Sequence, residues 1–93
     1  MKRIVVAVRD RAADTFGSPF YVVAIGQAIR SFSDEVNRRA DDNQLFQHPE
    51  DFDLYELGVF DDSTGLFETG VPRQAAVGKD LRVREDFPLR AVQ

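Results

Sequence analysis

The sequence predicts an α+β fold: a small three-stranded sheet in the order β-α-β-β, with one main helix packed on one face. Three observations predict it. Ile4-Val5-Val6-Ala7-Val8 is an unbroken apolar run, mostly β-branched, which is a strong strand signal. Ile25, Ala28, Ile29, Phe32 and Val36 recur at helical spacing. Residues 48–65 then read as a turn, a strand and a hairpin loop, with another strand directly behind.

The first strand does not alternate, so both of its faces should be covered. Residues 9–20 read as a loop, because Asp14 and Gly17-Ser18-Pro19 punctuate them. Phe16 and Phe20 flank that turn. They either pin the loop to the core or, beside Arg9 and Arg11, form a base-stacking surface.

The helix is expected over residues 23–39. Gln27, Arg30, Asp34, Glu35 and Arg38 lie off its apolar stripe, and Asp41-Asp42-Asn43 is expected to end it. Gly26 falls in the first turn, where its cost is small, or else permits close packing on the sheet.

His48-Pro49-Glu50-Asp51 predicts a short helical turn. Proline suits its first position, and the carboxylates suit the positive end of the backbone dipole. The second strand is expected over residues 53–61. Strict alternation puts Tyr55, Leu57 and Val59 on one face and Leu54, Glu56, Gly58 and Phe60 on the other. Asp61-Asp62-Ser63-Thr64-Gly65 has hairpin chemistry, with Gly65 at a positive φ. The third strand is expected over residues 66–71, stopped by Pro72. A brief helical turn is expected within residues 74–81, and residues 82–93 form a docked or mobile tail.

Ninety-three residues make a single domain, 1–93. Apolar residues at 43% and charged residues at 30% indicate a globular chain. With no cysteine, disulfides, thiolate metal sites and thiol catalysis are excluded. No apolar run approaches the roughly 20 residues of a membrane span, and residues 1–8 are too short for the apolar part of a secretion signal.

One helix covers one face only. Leu54 and Phe60 are therefore expected on a second apolar face, covered either by the tail through Phe87 and Leu89 or by a second copy in a homodimer. These two residues mark the expected oligomer interface.

The net charge of −4 is uneven. Residues 1–32 hold five basic and two acidic groups, residues 33–70 two and eleven, and residues 71–93 five and three. Basic ends around an acidic middle predict a phosphate-binding strip built from Lys2, Arg3, Arg9, Arg11, Arg30 and Arg73, with Tyr21, Phe16 or Phe20 placed for stacking. The tail and the last turn add Lys79, Arg82, Arg84 and Arg90. Ordinary solvated charge is the plainer reading of the same pattern, and the pI of about 4.8 is unlike most nucleic-acid binders.

No catalytic group, metal site or cofactor is expected. Asp41 and Asp42 end a helix, Glu50 and Asp51 start a turn, and Asp61 and Asp62 make a hairpin. His48, the only histidine, is read as a cap for the turn that follows it. The scattered glycines build no phosphate loop.

The same segments carry a family resemblance. It begins with the first strand, ending in Arg9-Asp10, and continues through Gly17-Ser18-Pro19-Phe20, Ala28-Ile29-Arg30-Ser31-Phe32, Val36-Asn37, residues 48–55, Leu57-Gly58-Val59-Phe60-Asp61 and Thr64-Gly65, over roughly residues 1–81. In these the chain resembles the small non-structural proteins of microviruses, the tailless single-stranded DNA phages, in particular the gokushovirus branch. The resemblance implies a protein made in the cytoplasm of the infected bacterium, absent from the virion, and active in genome replication or packaging. It implies no specific functional residue.

The expected function is a non-enzymatic accessory protein that binds single-stranded DNA electrostatically, or the phage or host replication proteins. The alternative is a protein-interaction module that uses the exposed sheet face.

Overall fold

The computed structural model describes residues 1–83. The fold is α+β, built on a curled antiparallel sheet of five strands rather than the expected three. Strand β1 (Lys2–Asp10) lies inside the sheet. On one side it pairs with β2 (Thr15–Phe16) through Arg9↔Phe16, and with β3 (Phe20–Val22) through Ile4↔Val22. On the other side it pairs with β4 (Phe52–Asp61), and β4 pairs in turn with β5 (Leu66–Val77). Strand β2 and the first residue of β3 fall in what reads as a loop, and the rest of β3 lies just before the expected helix. Two and three residues are too short to show a period of two, so only their pairing with β1 reveals them.

The main helix, α1 (Ile25–Val36), is shorter at both ends than expected. Ala24 offers no side-chain cap; instead Gln27 Oε1 reaches back to accept from the N–H groups of Val23 (3.0 Å) and Ala24 (3.3 Å). The far end stops at Asn37, not at Asp41-Asp42-Asn43. Asn37 Nδ2 donates to the carbonyls of Ser33 (2.8 Å) and Leu81 (3.0 Å), and its Oδ1 accepts from the N–H of Val83 (2.7 Å). One side chain thus closes the helix and staples the end of the described chain to it.

Asn43 does a related job. It is buried, and its Nδ2 donates to the carbonyls of Glu35 and Arg38, both at 2.8 Å. Its Oδ1 accepts from Leu45 N–H and so caps α2 (Gln44–Gln47), a helix the sequence reading did not resolve. The expected turn at Pro49–Asp51 is present as a 3-10 turn. His48 does not cap it through its ring. The ring is exposed, with Nδ1 3.8 Å from Glu50 Oε2.

The core lies between α1 and one face of the sheet. Ala28, Phe32 and Val36 pack on Val6, Leu54 and Phe52, with Leu45 and Leu81 closing the rim. The expected apolar stripe of α1 is therefore its buried face. α3 (Gly78–Leu81) closes on the 3-10 turn so tightly that a side chain at Gly78 would stand 2.6 Å from the Phe52 carbonyl. All three helices of the described residues place side chains on this same side of the sheet.

The hairpin loop has the predicted chemistry. Asp61 Oδ1 accepts from Ser63 N–H at 2.9 Å, and Gly65 has φ 78°. Strand β5 differs from expectation. It runs through Pro72 to Val77 because Pro72 sits in a bulge on the sheet's edge strand, where the ladder asks no N–H of it. The expected tail, with Phe87, Leu89, Arg84 and Arg90, lies outside the described residues apart from its first two positions.

Candidate nucleic-acid interface

The site follows from an irregularity in β4. Val6 pairs with Glu56 and Val5 with Gly58, which leaves Leu57 without a partner on β1. On the other side Glu56 pairs with Arg73 and Gly58 with Thr69, so residues 70–72 bulge opposite the same point. A bulge resets the alternation of side chains. Tyr55 and Phe60, five positions apart, therefore come out on one face, while Leu54 and Val59 come out on the other.

This corrects the expected oligomer interface. Leu54 is fully buried in the core against α1 and presents nothing to a partner. Phe60 alone of that pair belongs to the open face.

Residues opposite one another in the ladder share a face. The face away from the helices accordingly carries Arg9 with Phe16, Ala7 with Tyr55, Val5 with Tyr21, and Arg3 with Phe60 and Phe67. Two aromatic clusters stand on it. Phe16 meets Tyr55 edge-on, centroids 5.5 Å apart. Tyr21 meets Phe60 edge-on at 5.7 Å, and Phe60 meets Phe67 at 4.7 Å. Val5 and Ala7 form a buried floor between the clusters. Phe16, Tyr21 and Phe67 remain 40%, 45% and 54% exposed. Phe20, by contrast, turns to the core side and is no stacking candidate.

The six predicted basic residues do not form one strip. Arg9 and Arg3 are on the open face. The Arg9 guanidinium lies 5.9 Å from the Phe16 centroid and is paired with the Asp14 carboxylate, which, with a smaller contribution from Tyr55, raises its pKa. Arg3 Nε is 3.1 Å from Asp62 Oδ2. The chain's amino group and then Arg3 hold the Asp62 carboxyl below its usual range.

Arg11 has a structural role. Its Nε is 3.0 Å from Oδ2 of Asp53, which is 1% exposed, and its Nη2 donates to the Glu50 carbonyl. A buried carboxylate needs that partner. Arg73 pairs with Glu56 at 3.1 Å on the helix side. Lys2 is also on that side, at the hairpin end beside Asp61 and Leu66. Arg30 is on the outer surface of α1, beside Gly26, Gln27 and Ser31. Arg82 stacks on Phe46 at 3.8 Å, again away from the open face.

Tyr55, Phe60 and Phe67 were not expected to stack. The signal was present in Gly58 and in Gly70-Val71-Pro72, since glycine and proline inside strands mark bulges. Elsewhere, among the described residues, His48, Glu50 and Asp51 bring one ring nitrogen and two carboxylates within 4.8 Å of one another at the surface. No helix of the described residues is long and apolar enough to cross a membrane.

An open sheet face of rings and arginines, with every helix of the described residues on the other side, characterises this small α+β fold, and residues 3–81 match the model of a bacteriophage family. The family is that of the Phage ORF5 protein, and the chain belongs to it. No curated protein and no solved structure matches the chain.

Proposed function

We propose that the chain is a non-enzymatic accessory protein of a microvirus-type single-stranded DNA phage. It acts in genome replication or packaging, in the cytoplasm of the infected bacterium, and it binds single-stranded DNA. The observation that carries this reading is the open sheet face, where Arg3 and Arg9 stand among exposed aromatic rings. Cations beside ring faces are what an unpaired strand needs: phosphates meet the one and bases the other. The family supports the phage setting, and the resemblance of residues 1–81 supports the microvirus assignment. The acidic hairpin and turn carboxylates supply local structure rather than chemistry, as Asp53, Asp61 and Asp62 each hold an intramolecular partner.

Fluorescence anisotropy with a labelled oligo-dT at two salt concentrations tests the reading. Two phosphate contacts give a log–log salt slope of about −1.4. Folded protein that binds no single strand at low salt rejects the proposal.

A second reading is favoured by the exposure of Phe16, Tyr21 and Phe67 themselves. The same face then docks a protein, either a second copy in a homodimer or a phage or host replication protein. Sedimentation of the chain at rising concentration, beside Phe67→Asp, separates the two.

A further inference from the structure

We infer that the open face holds single-stranded nucleic acid by stacking bases at two separate stations, with Asp14 restraining the arginine that meets the backbone. The inference rests on the function proposed above and specifies the mode of binding. One station is Phe16 with Tyr55, at the β2 end. The other is Tyr21 with Phe60 and Phe67, at the hairpin end.

Ring geometry is the first argument. The Phe16–Tyr55 and Tyr21–Phe60 pairs meet at 75° and 61°. Edge-to-face contact fixes each ring in place and spends one face of one ring only. Phe60 and Phe67, tilted by 38° at 4.7 Å, cover part of each other, yet Phe67 stays 54% exposed. A core that needed a lid would bury these rings; here Phe16, Tyr21 and Phe67 stand in solvent above a floor, Val5 and Ala7, that is already closed.

Charge placement is the second argument. An arginine stands at each station, Arg9 beside Phe16 and Arg3 opposite Phe60. A purely apolar partner would be poorly served by two guanidinium groups, whereas a base with its phosphate is suited to both features.

Spacing is the third. The Arg9↔Phe16 and Val5↔Tyr21 pairs are four residues apart on β1, about 13 Å. A strand whose bases stay stacked rises about 3.4 Å per nucleotide, so such a strand spans the two stations with roughly five nucleotides.

Asp14 adds control. It holds a left-handed conformation, φ 57°, at the tip of the β1–β2 turn, and its carboxylate engages Arg9. A phosphate must compete with that carboxylate. Neutralising it frees the guanidinium, and asparagine keeps the backbone conformation.

The test is binding of oligo-dT of three and eight nucleotides, and of an eight-base-pair duplex, at fixed salt. Phe16→Ala, Phe16→Leu, Tyr21→Ala and Phe67→Ala are compared with the unmodified chain, with circular dichroism melts to establish folding. All three positions are exposed, so the variants are expected to fold, which the melts check. Each alanine variant, and Phe16→Leu equally, should lose about 5- to 150-fold in affinity for the eight-mer. The salt slope should not change. The three-mer should bind far more weakly than the eight-mer, and the duplex more weakly still. Asp14→Asn should bind several-fold tighter, and Asp34→Asn, the same charge change on α1, should not.

Binding by the unmodified chain with no loss in the ring variants overturns the stations and leaves the proposed function standing. Equal affinity for duplex, or full retention by Phe16→Leu, also overturns them. No binding of any single strand by the unmodified chain rejects both.

Discussion

The two faces of one sheet behave as different materials. On the helix face, Val6, Leu54, Ala28, Phe32 and Val36 lose all or nearly all contact with water. Aliphatic residues interlock there with Phe32 and Phe52, and stability follows from packing. On the other face, the floor of Val5 and Ala7 is as dry, but the layer above it is aromatic and stops at the solvent. The same strands supply both faces. The difference teaches that this sheet does not lack a second core. It has a finished floor with rings set on top, and the outer surfaces of those rings stay in solvent.

If the faces differ in this way, truncation should separate them sharply. Phe32→Ala should cost about 3–5 kcal/mol in urea unfolding, since it opens a cavity beneath α1. Phe67→Ala, at the surface, should change stability by no more than about 0.5–1 kcal/mol. Comparable losses would abolish the distinction.

Gly58→Ala comes next. A Cβ there would run into the Glu68 carbonyl and crowd Thr69, forcing β4 and β5 apart where the two faces exchange residues. A loss of roughly 2–4 kcal/mol is expected, together with altered NMR shifts for Phe60 and Phe67.

Arg11→Ala tests the boundary between structure and surface. Asp53 would stay buried without its cation, at a cost of about 1.5–3 kcal/mol after allowing for the exposure of Arg11. Arg9→Ala should cost stability little and DNA affinity much. A basic strip of equivalent residues predicts no such divergence.

The smallest effect is acidic. The folded-state pKa of Asp62 is lowered by the amino group and Arg3. Its contribution is therefore fully present above the ordinary carboxylate value of about 4 and is lost as pH falls through the lowered folded value. Asp62 is solvent-exposed, so the readout is local: NMR shifts at Asp62 and Arg3 that move together, below the midpoints of unpaired aspartates.

Much of the helix face was legible in the sequence. The stripe from Ile25 to Val36 needs only the helical period, and Ile4 to Val8 needs only a run of branched residues. The hairpin loop was legible because Gly65 and Asp61 carry local chemistry. The open face was less so, for a physical reason. Its composition depends on where the alternation resets, and that is decided by strand pairing, which is not local. Leu54 and Phe60 have the same parity in the sequence and opposite faces in the fold. β2 and β3 were hidden likewise, since two or three residues form a strand only when β1 is beside them. The basic residues were counted correctly, but their pairing partners, Asp14, Asp53, Asp62 and Glu56, could be seen only in three dimensions.

The unpaired Leu57 gives the hairpin an unusual tolerance. Glu56 and Gly58 already stand on opposite faces, so Leu57 lies outside the alternation. Removing that one codon, with every other side chain untouched, would close the bulge and keep Phe60 outward and Val59 inward. Adding a residue between Gly58 and Phe60 would do the reverse and transpose the outer hairpin. The loop at residues 62–65, only a few positions away, should accept an added residue far more readily. A frame-preserving scan would therefore find a deletable point beside an intolerant stretch, and that stretch would report the register of the whole surface.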